Sequence, residues 1–543
     1  MSRSAIRLLL VMTTGLLVAN NAAAQDSHEE LVRFFREWRA FQAPATLNGL
    51  PDYSPGATAK QAAELPKWIE RLVAFDTTGW SVPEQIDWHL IRAEMNGLDF
   101  DHRVLRPWER DPAFYVWFFP SKTDVPSREG PVIHGAIEYA YLDQPLSKVD
   151  AADVARRLSL MPDLYERARK NLTGNARDLW VTGARSIREQ AGSLESLGAD
   201  QRGTHPELSR AASDAAKASL EFAEWLDAQS QAKTGPSGIG KENYNWYIRN
   251  VHLIPLDWEE EKLLVERELY RSLSALRMQE HANRHLPELA PITDAETYDR
   301  EMTAAIEEYL TFLEDEEILT IKPWMAPALE ARAGRFTESD GLRGFFSEVT
   351  YLDPMVMRTH DYHWIELARR KFEPNPDPIR SAAPLYNMYD TRAEGMATAM
   401  EELMMRAGAF SNRPRAKELI WILLTQRAAR GLGSLYQHGR EMSFDEATKF
   451  AASWVPRGLL PADGATIQHE EQFYLQQPGY GTSYVTGKIL IDQLIAEYSR
   501  KRGDAFVMRD FMDEFNAVGI IPMSLVYWQM TGDRSMLDGA IGN

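Results

Sequence analysis

There is no cysteine anywhere in the 543 residues. That excludes disulfides, thiolate metal ligands and a cysteine nucleophile. It also removes the residue at which a lipid-anchored precursor would be acylated, so no such anchor is expected. Beyond the N-terminus no segment approaches the ~18 uninterrupted apolar residues of a membrane span. Basic charge is scarce as well: 60 Lys and Arg stand against 79 Asp and Glu, a formal charge of −19. Such a surface repels nucleic acid and excludes it as a partner class. No serine sits in a Gly-x-Ser-x-Gly elbow, which argues against a common serine hydrolase. Gly238-Ile-Gly240-Lys241 lacks phosphate-loop spacing, and Gly431-Leu-Gly433 has no strand before it, so neither is a nucleotide fingerprint.

What is present begins with a secretion signal over residues 1–24. Arg3 and Arg7 supply a basic start, Leu8 to Ala19 a short apolar core, and Ala22-Ala23-Ala24 the small residues before Gln25. The mature protein is therefore expected in the periplasm or secreted. With 44% hydrophobic residues, 15 Trp, 20 Tyr and 21 Phe, it can bury a large core. The pattern is overwhelmingly helical. Segments His28 to Ala40, Gln61 to Ala74, Pro83 to Leu98, Val149 to Leu172, Ala211 to Ala228 and Asp257 to Arg284 are rich in helix formers at three- and four-residue apolar spacing. Strand-like runs are few, the best being Ala113 to Phe119 and Ile520 to Val526. The breaker-rich stretch Lys233 to Gly240 is either a surface loop or a boundary. Taken as a boundary, it divides the mature chain into helical lobes 25–235 and 236–543.

The densest chemistry lies at Thr359-His360-Asp361-Tyr362-His363-Trp364-Ile365-Glu366. If Val356 to Leu367 is one helix, His360 and His363 share a face with Val356 and Leu367 and point inward. The prolines of Glu373-Pro-Asn-Pro-Asp-Pro378 then turn the chain back. A second helix around Glu394 to Glu401 is thereby brought towards the histidines. That helix has an apolar stripe (Met396, Met400, Leu403, Met404, Ala407) and an acidic side carrying Glu394 and Glu401. Two imidazoles and one carboxylate, with a position open for water, form the usual ligand set of catalytic zinc. On spacing alone, hydrogen-bonded structural histidines and a solvated acidic face account for the same residues. His281 and His285, at i and i+4, read as a charged surface face.

Further motifs resemble a bacterial family of secreted proteins catalogued as domain of unknown function eight-eight-five. They include Pro478-Gly-Tyr-Gly-Thr-Ser-Tyr484-Val-Thr-Gly487-Lys488, Phe506 to Phe511, Gly519 to Pro522, Ala393-Glu394-Gly395-Met396 through Glu401, and Arg430 to His438. Weaker similarity reaches back to Gly240 to Tyr247. That family is similar to zincin-type metallopeptidases, which implies a mainly α, two-lobed helical clamshell. The family pattern His-Glu-x-x-Pro-Gly-His-His is altered here. Laid over Met357 to Trp364 without gaps, it keeps His363 and replaces the His-Glu pair by Met357 and Arg358. With a gap, His360-Asp361 takes the place of His-Glu. Trp364 replaces a histidine, Met396 a tryptophan and Tyr480 a glutamine.

The resemblance implies zinc held by His360, His363 and Glu394. Asp361, Glu366 or Glu401 would take a proton from the bound water, and Tyr484 would donate to the oxyanion. His438 would orient a ligand or the substrate carboxylate. The implied activity is metal-dependent hydrolysis of small peptides or other amides. Loss of the His-Glu pair leaves two rivals: a peptide- or ligand-binding protein on a peptidase scaffold, and a metal enzyme of lyase or isomerase type. For Glu366 a surface pair with Arg369 or Arg370 competes with catalysis, and for His438 a helix-end role before Gly439 does.

Overall fold

The amphipathic periodicity of the sequence becomes a mainly α architecture in a computed structural model that describes residues 27–339 and 341–542. The expected secretion signal lies outside these residues. Each long helix starts where its sequence supplies a cap. Ser27 accepts from the Glu30 amide at the head of His28–Gln42. Asp257 and Glu260 form a reciprocal capping box that opens Trp258–Asn283. The expected helices at 61–74, 83–98 and 211–228 are found, somewhat longer, as Pro55–Val73, Val82–Phe100 and Pro206–Ser230. Residues 149–172 are two helices, Lys148–Leu158 and Met161–Asn171, because Pro162 restarts the chain after a turn at Ser159 and Leu160.

Both strand expectations are corrected. Pro112–Tyr115 is a 3-10 turn, and only Phe118–Phe119 pairs, in parallel with Ile137–Glu138. Residues Met523–Thr531 form a helix that starts after Pro522, whose fixed φ suits a helix start. The only other strand pairing among the described residues is Thr46–Leu47 with Leu50–Pro51.

Two apolar cores hold the molecule, and they interleave along the sequence. One draws on residues from Leu31 to Leu105 and again from Ile239 to Leu537. The other is built from Leu50 and from Trp108 to Leu226. The Lys233–Gly240 stretch between them is packed. Ser237 accepts from the Asp178 amide at 2.9 Å, and its carbonyl takes Arg110 Nη2 at 2.9 Å. A Cβ on Gly238 would lie 1.9 Å from the Gln437 carbonyl.

At the centre, the Asp390–Ala407 helix crosses Tyr480–Arg502 glycine on glycine. A Cβ on Gly395 would fall 2.5 Å from the Gly487 Cα, and one on Gly487 would fall 2.1 Å from the Thr391 carbonyl. The helix Ala416–His438 packs beside both and is buried along almost its whole length. At the far end, His28 Nε2 lies 2.8 Å from Asp87 and 3.5 Å from Asp377, with Arg380 on the other oxygen of Asp87 at 2.8 Å.

Gly395→Ala or Gly487→Ala should lower the unfolding free energy by about 2–3 kcal/mol through overpacking. Gly192→Ala, on an exposed helical face with open space around it, should raise it by about 0.5–1 kcal/mol. Urea denaturation of the three variants checks both signs. The His28 contact predicts a pH dependence. Its hydrogen bond to Asp87 raises its pKa above 6.5. The stabilisation of wild type over His28→Gln should therefore be complete below that value. It should fade as pH rises through the elevated folded pKa, as thermal unfolding from about pH 5.5 to about pH 9 will show.

Candidate functional site

One continuous helix over 356–367 is not what forms. The chain makes Pro354–His360 and Tyr362–Phe372, with Asp361 at the junction in a non-helical conformation (φ −64°, ψ 6°). The Asp361 carboxylate turns back to Arg358 at 2.7 Å. The break still brings the imidazoles together: their ring centroids are 5.1 Å apart and nearly perpendicular.

The acidic side of the next long helix faces them and is buried. His363 Nε2 lies 3.1 Å from Glu394 Oε2, and the Tyr480 hydroxyl donates to the other oxygen of Glu394. His360 Nδ1 lies 3.1 Å from Glu401 Oε1. Arg427 holds Glu401 by two hydrogen bonds of 2.9 and 2.7 Å, and its Nη2 is also 3.1 Å from His360 Nδ1.

Burial opposes charge on His363 and Glu394, but their mutual attraction wins. His363 is raised to about 9 and Glu394 lowered to about 2, the signature of an ion pair. Burial, reinforced by Arg427, lowers His360 and keeps it neutral. Burial raises Glu401 to about 7, against the pull of Arg427.

A fourth group comes from more than two hundred residues away. Asp124, on the irregular segment 120–132, presents an oxygen such that one ligand atom each of Asp124, His360 and His363 lie within 4.8 Å of one another. Burial raises its carboxyl, and so does neighbouring Glu394. The segment is fastened at several points. Thr123 donates to Glu129 at 2.9 Å, and Ser127 donates to Asn387 at 2.8 Å. The Gly130 amide donates to Gln477 at 2.6 Å. Val125 packs on Tyr389 and Ala393. Asp124 had no helical or motif spacing to single it out; its only mark was a polar turn ending at Pro126. Arg427 and Tyr480 carry no local signal of their roles, for different reasons. Arg427 sits within an apolar helix, and Tyr480 read only as a departure from the family pattern.

The remaining expected residues divide. Glu366 is not at the surface: it is buried and paired with Arg392 of the Asp390–Ala407 helix, while Arg369 turns to Glu373. Tyr484 lies beside the centre. Its ring is under the Arg430 guanidinium at 4.3 Å, and the Glu394 and Asp124 carboxylates are within electrostatic reach. Among the described residues no hydrogen bond engages its hydroxyl. His438 is not brought into the cluster. It ends its helix before Gly439, and its Nε2 lies 3.0 Å from the Tyr474 carbonyl. Burial lowers it to about 4. His281 and His285 are exposed.

Asp124, His360 and His363 each offer one ligand atom close enough for a cation to bridge, and Glu394 lies against His363 but outside that group. Two bonds of ~2 Å at the tetrahedral angle separate donor atoms by about 3.3 Å, close to the 3.1 Å between His363 and Glu394. His360 Nδ1 has Arg427 Nη2 at 3.1 Å and Glu401 Oε1 at the same distance, and these two contacts fix the ring's orientation. The buried Arg427–Glu401 pair is also a stability element. Arg427→Met should cost about 3–5 kcal/mol by leaving Glu401 uncompensated. Adding Glu401→Leu should restore most of that loss, as denaturation of the single and double variants would show.

Two solved structures share the fold over nearly the whole chain. A "putative lipoprotein of unknown function" from Shewanella oneidensis is 15% identical with a TM-score of 0.63, covering 92% of this chain and 97% of its own. A "putative lipoprotein" from Colwellia psychrerythraea is 14% identical with a TM-score of 0.61, covering 94% and 99%. No curated protein matches the sequence. The family described as "Bacterial protein of unknown function (DUF885)" matches residues 43–277 and 370–530. Those ranges include Asp124, Glu394, Glu401, Arg427, Tyr480 and Tyr484, and they omit the altered stretch with His360 and His363. With well over half of its length matched, the chain belongs to the DUF885 family.

Proposed function

We propose that this protein is an exported, metal-dependent hydrolase of small peptides or other amides. The observation that carries the reading is the convergence of Asp124, His360 and His363, one ligand atom of each within 4.8 Å of the others, with Glu394 against His363. The two carboxylates differ in a useful way. Glu394, held by the Tyr480 hydroxyl, suits a ligand; Asp124, raised by burial, suits a proton acceptor. On this reading His360, His363 and Glu394 hold zinc, which when bound supplies Lewis-acid polarisation and an acidified water. Asp124 takes the proton and returns it to the leaving amine. The unengaged Tyr484 hydroxyl donates to the oxygen that gains charge. Tyr480 orients Glu394, and Glu401 with Arg427 orients His360. Asp361, tied to Arg358 between the two histidines, has a positioning role, and His438, tied to the Tyr474 carbonyl, has none in this reading.

Export is supported by the lipoprotein names of the two structural neighbours and by the N-terminal sequence. Among the described residues no helix is long and apolar enough to cross a membrane.

A second reading rests on Arg427. If its Nη2, 3.1 Å from His360 Nδ1, donates there, His360 carries its proton on Nε2. His360 and charged His363 then present two donors, and the centre holds a carboxylate ligand instead of a cation.

Metal content and dipeptide turnover separate the two readings. The hydrolase reading expects about one zinc per chain in wild type after incubation and dialysis, absent in His363→Ala. It also expects Asp124→Asn to keep the metal and lose kcat by roughly 10²–10⁴-fold. A wild type that takes up no metal, or an Asp124→Asn variant with undiminished turnover, would refute it.

A further inference from the structure

A cavity of about 270 Å³ lies beyond the candidate site, and its lining is unusual. Tyr53, Trp108, Phe114, Tyr247 and Tyr386 surround a single acidic residue, Asp101. Tyr53 stacks on Trp108 at 5.7 Å and meets Phe114 edge-on at 5.0 Å. Asp101 opens a one-turn π-helix, Asp101–Leu105, at the end of Val82–Phe100, closed by Arg106 N donating to the Asp101 carbonyl at 2.8 Å. Such wide turns recur at functional sites. Among the described residues no basic side chain pairs with the Asp101 carboxylate, and burial alone pushes it up to about 8. Two basic residues also line the cavity. Arg128 is committed to Glu138 through hydrogen bonds of 2.9 and 2.7 Å, and His134 is exposed, so the cavity reaches the surface.

The wall is built to fixed dimensions. Tyr386 and Asn387 are consecutive non-glycine residues with positive φ, 60° and 48°. Holding two such residues costs free energy and needs support from the surroundings. That support includes Gly97, where a Cβ would lie 2.3 Å from the Tyr386 ring. Asn387 in turn donates to Gln477 at 3.0 Å.

We propose that this cavity binds a primary ammonium group carried on an apolar body. Asp101 is its counter-charge and the tyrosine and tryptophan rings are its walls. An ammonium supplies what the unpaired carboxylate lacks, and aromatic faces stabilise the same charge once it leaves water. A neutral ligand of the same shape would leave Asp101 without a counter-charge. Asn387 and Gln477 line the cavity, and Gln477 Nε2 donates at 2.6 Å to Asp390, one helical turn before Glu394. Resting on the hydrolase reading above, this is the position for the amine of a substrate cleaved at the centre. The binding itself stands without that reading.

Calorimetric titration with 2-phenylethylamine, against its neutral counterpart 2-phenylethanol, tests the proposal on the full chain. Wild type should bind the amine at least about tenfold more tightly than the alcohol. Asp101→Asn should erase the preference, and Tyr386→Leu should weaken the amine several-fold. Near pH 7 the heat of binding should depend on the buffer, because the amine displaces a proton from Asp101; Asp101→Asn should lose that dependence. His363→Ala should keep amine binding. Equal affinity for amine and alcohol in wild type would overturn the proposal, as would an unchanged amine affinity in a folded Asp101→Asn. Amine binding in a wild type that hydrolyses no peptide would overturn the hydrolase reading and leave this site standing.

Discussion

Burying the acidic side of the Asp390–Ala407 helix is the constraint around which the other elements are arranged. Glu394, Glu401 and Glu402 are all buried, and a carboxylate taken out of water is costly unless it is paired and hydrogen-bonded. Each is met by side chains of neighbouring helices. His363 and Tyr480 meet Glu394, and Arg427 meets Glu401. Arg271 and Lys488 meet Glu402, lowering it to about 2 against the effect of burial. Four other helices are fixed in register by little more than two turns of this one. The glycine crossing at Gly395 and Gly487 allows this by bringing Tyr480–Arg502 close enough for both Tyr480 and Lys488 to reach.

The interleaved cores explain how a distant segment completes the centre. Residues 107–230 build their own core, while the helices before and after them share another. The segment 120–132 reaches from the former into the latter, where Asn387, Tyr389 and Gln477 hold it by hydrogen bonds. The Asn387–Gln477 pair also lines the aromatic cavity around Asp101, and Gln477 donates to Asp390, one turn before Glu394. Both sites therefore depend on how this one irregular stretch is seated.

What could be read in the sequence was what repeats locally. Helix periodicity placed the long helices, and the proline-rich turn after Glu373 rightly implied that Glu394 returns to His363. Patterning failed where side chains override propensity. The helix breaks at Asp361, whose carboxylate turns to Arg358. Ile520 to Val526 looked extended because it is β-branched and apolar, yet the helix after Pro522 buries those residues in the main core. Asp124, Arg427 and Asp101 were not visible because each matters through contacts across the fold. An isolated aspartate in a turn, or an arginine in an apolar helix, carries no local sign of its partner.

The central claim is that Asp124 joins His360, His363 and Glu394 around one cation. Anomalous diffraction from crystals of the zinc-incubated protein at the zinc edge tests it most directly. The account predicts a single strong peak at ligand distance, about 2 Å, from nitrogens of both histidines and an oxygen of Glu394, with Asp124 in the same cage. Crystals without such a peak, with Glu394 still hydrogen-bonded to His363 and Arg427 donating to His360, would contradict it and establish an ion-paired centre in its place.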